Sequence, residues 1–163
     1  MKAKFFFFAF LLCSVLLSGR ESSSDPGREN YLSIRRHYYK WDQGFEGSKG
    51  YFRKELYFYL IEMIGREIKT DYDFIPEYAD SATHRSRLRS GRWLVITGII
   101  TADNYREIES YRKKYGRNSQ PGKGLFSISG RIKKFRLSDY SGNREVYLYL
   151  DDMRLDNSKV KEE

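Results

Sequence analysis

Apolar and polar positions recur along this chain in several rhythms, and each rhythm predicts a different element. Across residues 51–69 (YFRKELYFYLIEMIGREIK), Phe52, Leu56, Tyr59, Leu60, Met63 and Ile64 recur at spacings of three and four. That spacing predicts a helix. Residues 56–61 are apolar throughout, which a strand would also show, and length decides for the helix. Its broad aromatic surface points to packing across a sheet, with a membrane-surface or partner-facing role as the alternative. Residues 93–101 (WLVITGIIT) are β-branched and apolar on both faces, as a central strand requires. Over residues 103–115, Tyr105, Ile108, Tyr111 and Tyr115 fall on one side of a second helix. Asp103 or Asn104 serves as its cap and Gly116 as its stop. A loop follows at 117–123. Residues 125–137 (LFSISGRIKKFRL) read as a second long strand with Phe126, Ile128 and Ile132 on one face. After Lys133 and Lys134 the apolar phase shifts to Phe135 and Leu137, which predicts a bulge. Ser141, Gly142 and Asn143 turn the chain, and residues 145–155 pair back as a hairpin. Val146, Leu148 and Leu150 then face the core, with Tyr147 and Tyr149 outside.

The polar stretches read as connectors. Residues 20–30 (RESSSDPGREN) predict a flexible tether. Residues 31–41 mix basic and aromatic side chains, and 44–50 hold three glycines. Either a loose hairpin or a short helix fits there. Pro76 and the basic run Arg85, Arg87, Arg89 and Arg92 make 71–90 a connector. Residues 156–163 form a charged, frayed tail.

The N-terminus carries the sharpest single signal. Lys2 and Lys4 precede an apolar run over residues 5–17 that ends in Ser18 and Gly19. A charged start, an apolar centre and a small-residue exit make a secretory signal. The run is short for a bilayer span, which needs about 20 apolar residues. It resembles a bacterial lipoprotein signal, which implies lipidation at the lone cysteine, Cys13. In that resemblance Gly19 stands where the cysteine is expected after Leu16, Leu17 and Ser18. Three outcomes stay open: cleavage near Gly19, lipidation at Cys13, and an uncleaved anchor. Loss of residues 1–19 leaves a chain without cysteine, which excludes disulfides, a thiol nucleophile and a thiolate metal site.

About 144 residues remain, the usual size of one domain. Aromatic residues make up 17% of the chain, with 14 Tyr and 11 Phe, which excludes general disorder. The formal charge of +8 suits anionic lipids, acidic polymers or nucleic acid, and export argues against the last.

A short pattern repeats: Ile96-Thr97-Gly98-Ile99-Ile100 and Ile128-Ser129-Gly130-Arg131-Ile132. Glycine inside a strand marks a bend or a close backbone approach. With the bulge and hairpin, residues 93–155 resemble an OB-fold segment, similar to the small OB-like domains of exported bacterial proteins. The expected fold is α+β: one domain over residues 31–155. It has a small, mostly antiparallel, strongly coiled sheet with two helices, either an OB-like barrel or a smaller α+β sheet. An OB barrel needs five strands, so two more would have to lie between residues 31 and 89; otherwise a smaller α+β sheet is the better description.

Catalytic constellations are absent from the sequence. His37 and His84 lack metal-ligand spacing. Asp71, Asp73, Glu77 and His84 are the nearest approach to a hard-cation cluster, and solvated loop acids explain them better. Asp151 and Asp152 are adjacent on a strand, which predicts opposite faces rather than an acid–base pair. The candidate ligand-binding residues are Arg131 and Lys133 with Tyr147 and Tyr149, on one outer sheet face. Basic and aromatic residues on an OB-like sheet hold single-stranded nucleic acid or another anionic ligand. Edge protection by Lys and Arg is the bland alternative. The sequence therefore predicts an exported protein of the bacterial periplasm or cell envelope that is not an enzyme. It needs no cofactor, and binds or supports an unidentified envelope component. Membrane contact would run through an N-terminal lipid or the uncleaved signal.

Overall fold

The computed structural model describes residues 24–115 and 126–156. The export segment, Cys13, Gly116, the 117–123 loop and residues 157–163 of the tail lie outside the described residues.

Helix α1 spans Pro26–Gln43, where a tether was expected over its first turn and a short helix or hairpin beyond. The Asp25 carboxylate caps it, accepting from the backbone N–H of Gly27 at 3.0 Å and of Arg28 at 3.4 Å. Pro26 stands in the first turn, where its missing N–H costs nothing. Tyr31, Ile34, Tyr38 and Trp41 form its buried stripe. A short 3₁₀ turn at Glu46–Ser48 leads into α2, Lys49–Glu62. The sequence rhythm carried this helix to residue 69. It stops earlier because Gly65 adopts a φ of +83° and its N–H donates to the Ile132 carbonyl at 2.7 Å. The following residues form strand β1, Glu67–Lys69.

Residues 71–90, expected as a connector, supply two strands instead: β2, Ile75–Ala79, and β3, Arg85–Ser90. Pro76 is tolerated because β2 is a sheet edge, where one row of backbone N–H groups has no partner. In β3, Arg85 and Arg87 are exposed while Ser86, Leu88 and Ser90 are buried, a period of two. Strand β4, Leu94–Ile99, lies centrally as expected. Helix α3, Ala102–Tyr115, buries Ile108 and Tyr111, with Tyr105 and Tyr115 packed beside them. Its first turn is held by the Thr101 hydroxyl, which accepts from the Asn104 N–H at 3.2 Å, two positions before Asp103, the nearer of the expected caps.

Strands β5, Ser127–Tyr140, and β6, Asn143–Asp156, form the expected hairpin. Ser141 and Gly142 both have positive φ, the turn that matches a right-handed strand twist. The predicted bulge is present between Ile132 and Lys134. A second irregularity lies between Ser129 and Arg131, opposite Asp152, whose φ is +51°.

The six strands run in the order β1-β5-β6-β4-β3-β2. Strands β4 and β6 are parallel, and the other neighbours are antiparallel. The sheet is therefore mixed and open: it is not mostly antiparallel, and of the two expected forms the OB-like barrel is ruled out. Three helices, not two, complete the α+β fold among the described residues. The barrel fails because β4 pairs in parallel with β6, and the sheet ends in two free edges, β1 and β2. The repeated glycines have a shared cause other than barrel corners. Gly98 on β4 and Gly130 on β5 flank β6. A Cβ at Gly98 would stand 2.9 Å from Met153 Cβ, and one at Gly130 2.9 Å from the Asp151 carbonyl. Both positions admit the bulged part of β6.

One core joins the helices to a single face of the sheet. Trp41, Leu56, Leu60 and Ile108 meet Leu88, Ile96, Ile128, Val146 and Leu148 there. Among the described residues no helix is long and apolar enough to cross a membrane.

Candidate functional site

The opposite sheet face is built from the alternate residues of the same strands. Register aligns them in rungs. One rung crosses Arg89, Val95, Tyr147 and Arg136. The next crosses Arg87, Thr97, Tyr149 and Lys134. A bank of cations from β3 and another from β5 thus enclose a small floor, Val95 and Thr97, and two tyrosines.

The first rung is a closed network. Arg89 contacts Glu77 on β2 and bonds the Glu145 carboxylate at 2.6 Å, and the Tyr147 hydroxyl donates to Glu145 at 2.5 Å. Burial opposes the charge on Glu145, yet the Tyr147 and Arg89 hydrogen bonds hold its carboxyl below its usual value. The same bond raises the Tyr147 hydroxyl. The Arg136 guanidinium lies 4.1 Å from the Tyr147 ring centroid, and Lys134 Nζ 4.5 Å from that of Tyr149.

The four residues singled out in the sequence lie on this face but are paired differently. Arg131 bonds Asp152 at 3.2 Å and Lys133 bonds Asp151 at 3.1 Å, so both cations are neutralised. The β5 bulge at Lys133 brings Lys134 and Arg136 to the tyrosines instead. Asp151 and Asp152, expected on opposite faces, are both exposed, because the left-handed residue Asp152 interrupts the alternation.

Four cations of the face have no carboxylate partner among the described residues: Arg85, Arg87, Lys134 and Arg136. All four are exposed. Strand residues alone line the small pocket between Arg85, Thr97, Lys133, Lys134 and Tyr149. A larger open cleft of about 750 Å³ begins beside it, bordered by Ile99, Thr101, Arg131, Asp151, Asp152 and Arg154.

The other candidates disperse. Asp71 pairs with Arg28 at 3.2 Å, Glu77 with Arg89, and the His84 ring stacks on Tyr105. His37 bonds the Ser33 carbonyl at 2.8 Å and stacks on Tyr59 with 4.3 Å between ring centroids, joining α1 to α2. Among the described residues no group of three or more His, Cys, Asp or Glu is placed to hold a metal ion. Lys134, Arg136 and the β3 arginines were not singled out as site residues. The alternation Arg85-Ser86-Arg87-Leu88-Arg89-Ser90 was the signal that could have found the second bank.

No protein-family model, curated protein or solved structure matches the chain.

Proposed function

We propose that this chain is an exported, non-catalytic protein of the bacterial envelope whose bare sheet face holds an extended acidic polymer. The observation that carries the reading is the pair of unneutralised cation banks, Arg85 and Arg87 on one side and Lys134 and Arg136 on the other. Between them lie Tyr147 and Tyr149, roofed by cations rather than exposed as stacking platforms. Register fixes the two banks on opposite sides of β4 and β6, so a linear anion laid along those strands meets charge on both flanks. The charged N-terminal segment favours an envelope polymer over nucleic acid, since export removes the chain from the cytoplasm.

Polygalacturonate binding, measured beside single-stranded DNA, tests this. The double change Arg87→Glu with Lys134→Glu should weaken polygalacturonate binding by more than about tenfold. Arg131→Glu with Lys133→Glu alters net charge equally and should cost far less. Equal losses in the two variants would show that overall charge, not this face, carries binding. Tighter capture of DNA would reassign the partner.

A further inference from the structure

The outer side of α2 is apolar where a solvent-facing helix is normally polar. Leu56 and Leu60 point into the core, yet Tyr51, Phe58 and Ile61 recur at spacings of seven and three on the far side. Tyr51 is 68% exposed and Phe58 62%. Phe45, just before the helix, is 89% exposed, and Ile64, just after it, is also exposed. Isolated exposed apolar residues are common, but an aligned row of this kind marks an interaction surface. The sheet face lies across the core, so the two surfaces do not overlap.

We infer that this row seats α2 in the surface of an anionic phospholipid bilayer. Charge selects that occupant. Arg53 and Lys54 lie on the exposed part of the helix and Arg66 just beyond it, all three without a carboxylate partner among the described residues. Over the same stretch the exposed acids are Glu62 and, next to Arg66, Glu67, so cations outnumber acids by three to two. Phenylalanine and tyrosine beside Lys and Arg are the composition of a helix lying in the headgroup region. Position agrees with it. Asn30 in the second turn of α1 bonds the Glu67 carbonyl at 2.8 Å, just past the end of α2. Asp25 pairs with Lys69 at 2.9 Å, so the start of α1 lies beside β1, the strand that follows Ile64. A second copy packed on the same row would set Arg53 and Lys54 against the same cations, with only Glu62 and Glu67 to offset them.

A full chain that keeps residues 5–17 carries a second apolar segment besides α2, so the test must resolve individual residues. Hydroxyl-radical footprinting of the full chain does so. Tyr51 and Phe58 should lose most of their oxidation on vesicles rich in phosphatidylglycerol and keep it on phosphatidylcholine vesicles. In Phe58→Ser with Ile61→Ser, both exposed positions, Tyr51 protection at a fixed lipid concentration should fall about tenfold. Vesicle-bound chain with Tyr51 and Phe58 as reactive as in solution overturns the proposal. So does equal protection on both lipids. Protection without lipid that grows with protein concentration assigns the row to a second copy and overturns it too. None of these results bears on the sheet face, whose polymer binding is measured without lipid.

Discussion

Two buried tyrosines of one helix face opposite fates. Tyr38 donates its hydroxyl to the Arg144 carbonyl at 3.1 Å, while the Tyr31 hydroxyl is buried without a partner. Burial pushes the Tyr38 hydroxyl up to about 12 and raises Tyr31 further. Removing a satisfied hydroxyl strands its acceptor, whereas removing an unsatisfied one relieves a desolvation cost. Tyr38→Phe should therefore lose about 1 kcal/mol in urea unfolding, and Tyr31→Phe should be neutral or gain up to about 1 kcal/mol. Glu145 makes a pH-dependent contribution. Its folded carboxyl titrates below the usual 4.5, so its stabilisation is complete above that value and is lost as pH falls through the folded value. Thermal unfolding across the acid range should show a shallower acid decline for Glu145→Gln than for the unchanged chain.

At the scale of elements, α1 depends on its start. Asp25 satisfies two N–H groups of the first turn and pairs with Lys69 at 2.9 Å, and the Lys69 hydrogen bond lowers its carboxyl. Asp25→Ala should destabilise the fold through the lost cap, read as a lower denaturant midpoint with an unchanged slope. The same helix explains what the sequence concealed. Asp25-Pro26-Gly27 reads locally as a turn, and only the downstream stripe of Tyr31, Ile34, Tyr38 and Trp41 makes it a helix start. Strands β2 and β3 were hidden by Pro76 and by arginines, because the partners that bury Leu88 and Ser86 are remote in sequence. Strand β4, helix α3 and the β5–β6 hairpin were legible, since each carries its own period and, for the hairpin, its own turn. The Lys133–Lys134 phase shift correctly announced a bulge. Which cations it would carry to the tyrosines depended on the register with β6, and one sequence does not contain that register.

The whole molecule is two-sided. Helices cover one sheet face and close the core, and their outer surface presents Tyr51, Phe58 and Ile61. The opposite face is bare and basic. The two proposed partners, a membrane surface and an acidic polymer, thus fall on opposite sides of the sheet. The free edges β1 and β2 are blunted: β1 has three residues, and β2 carries Pro76 and a bulge. Under the proposed function, Arg85, Arg87, Lys134 and Arg136 act together on one polyanion. The most direct test of that joint action is the salt dependence of polygalacturonate affinity. Four participating cations predict a log–log slope of about −3, and Arg87→Gln should reduce its magnitude by about 1. A flat salt dependence, or a slope that Arg87→Gln leaves unchanged, would contradict the account.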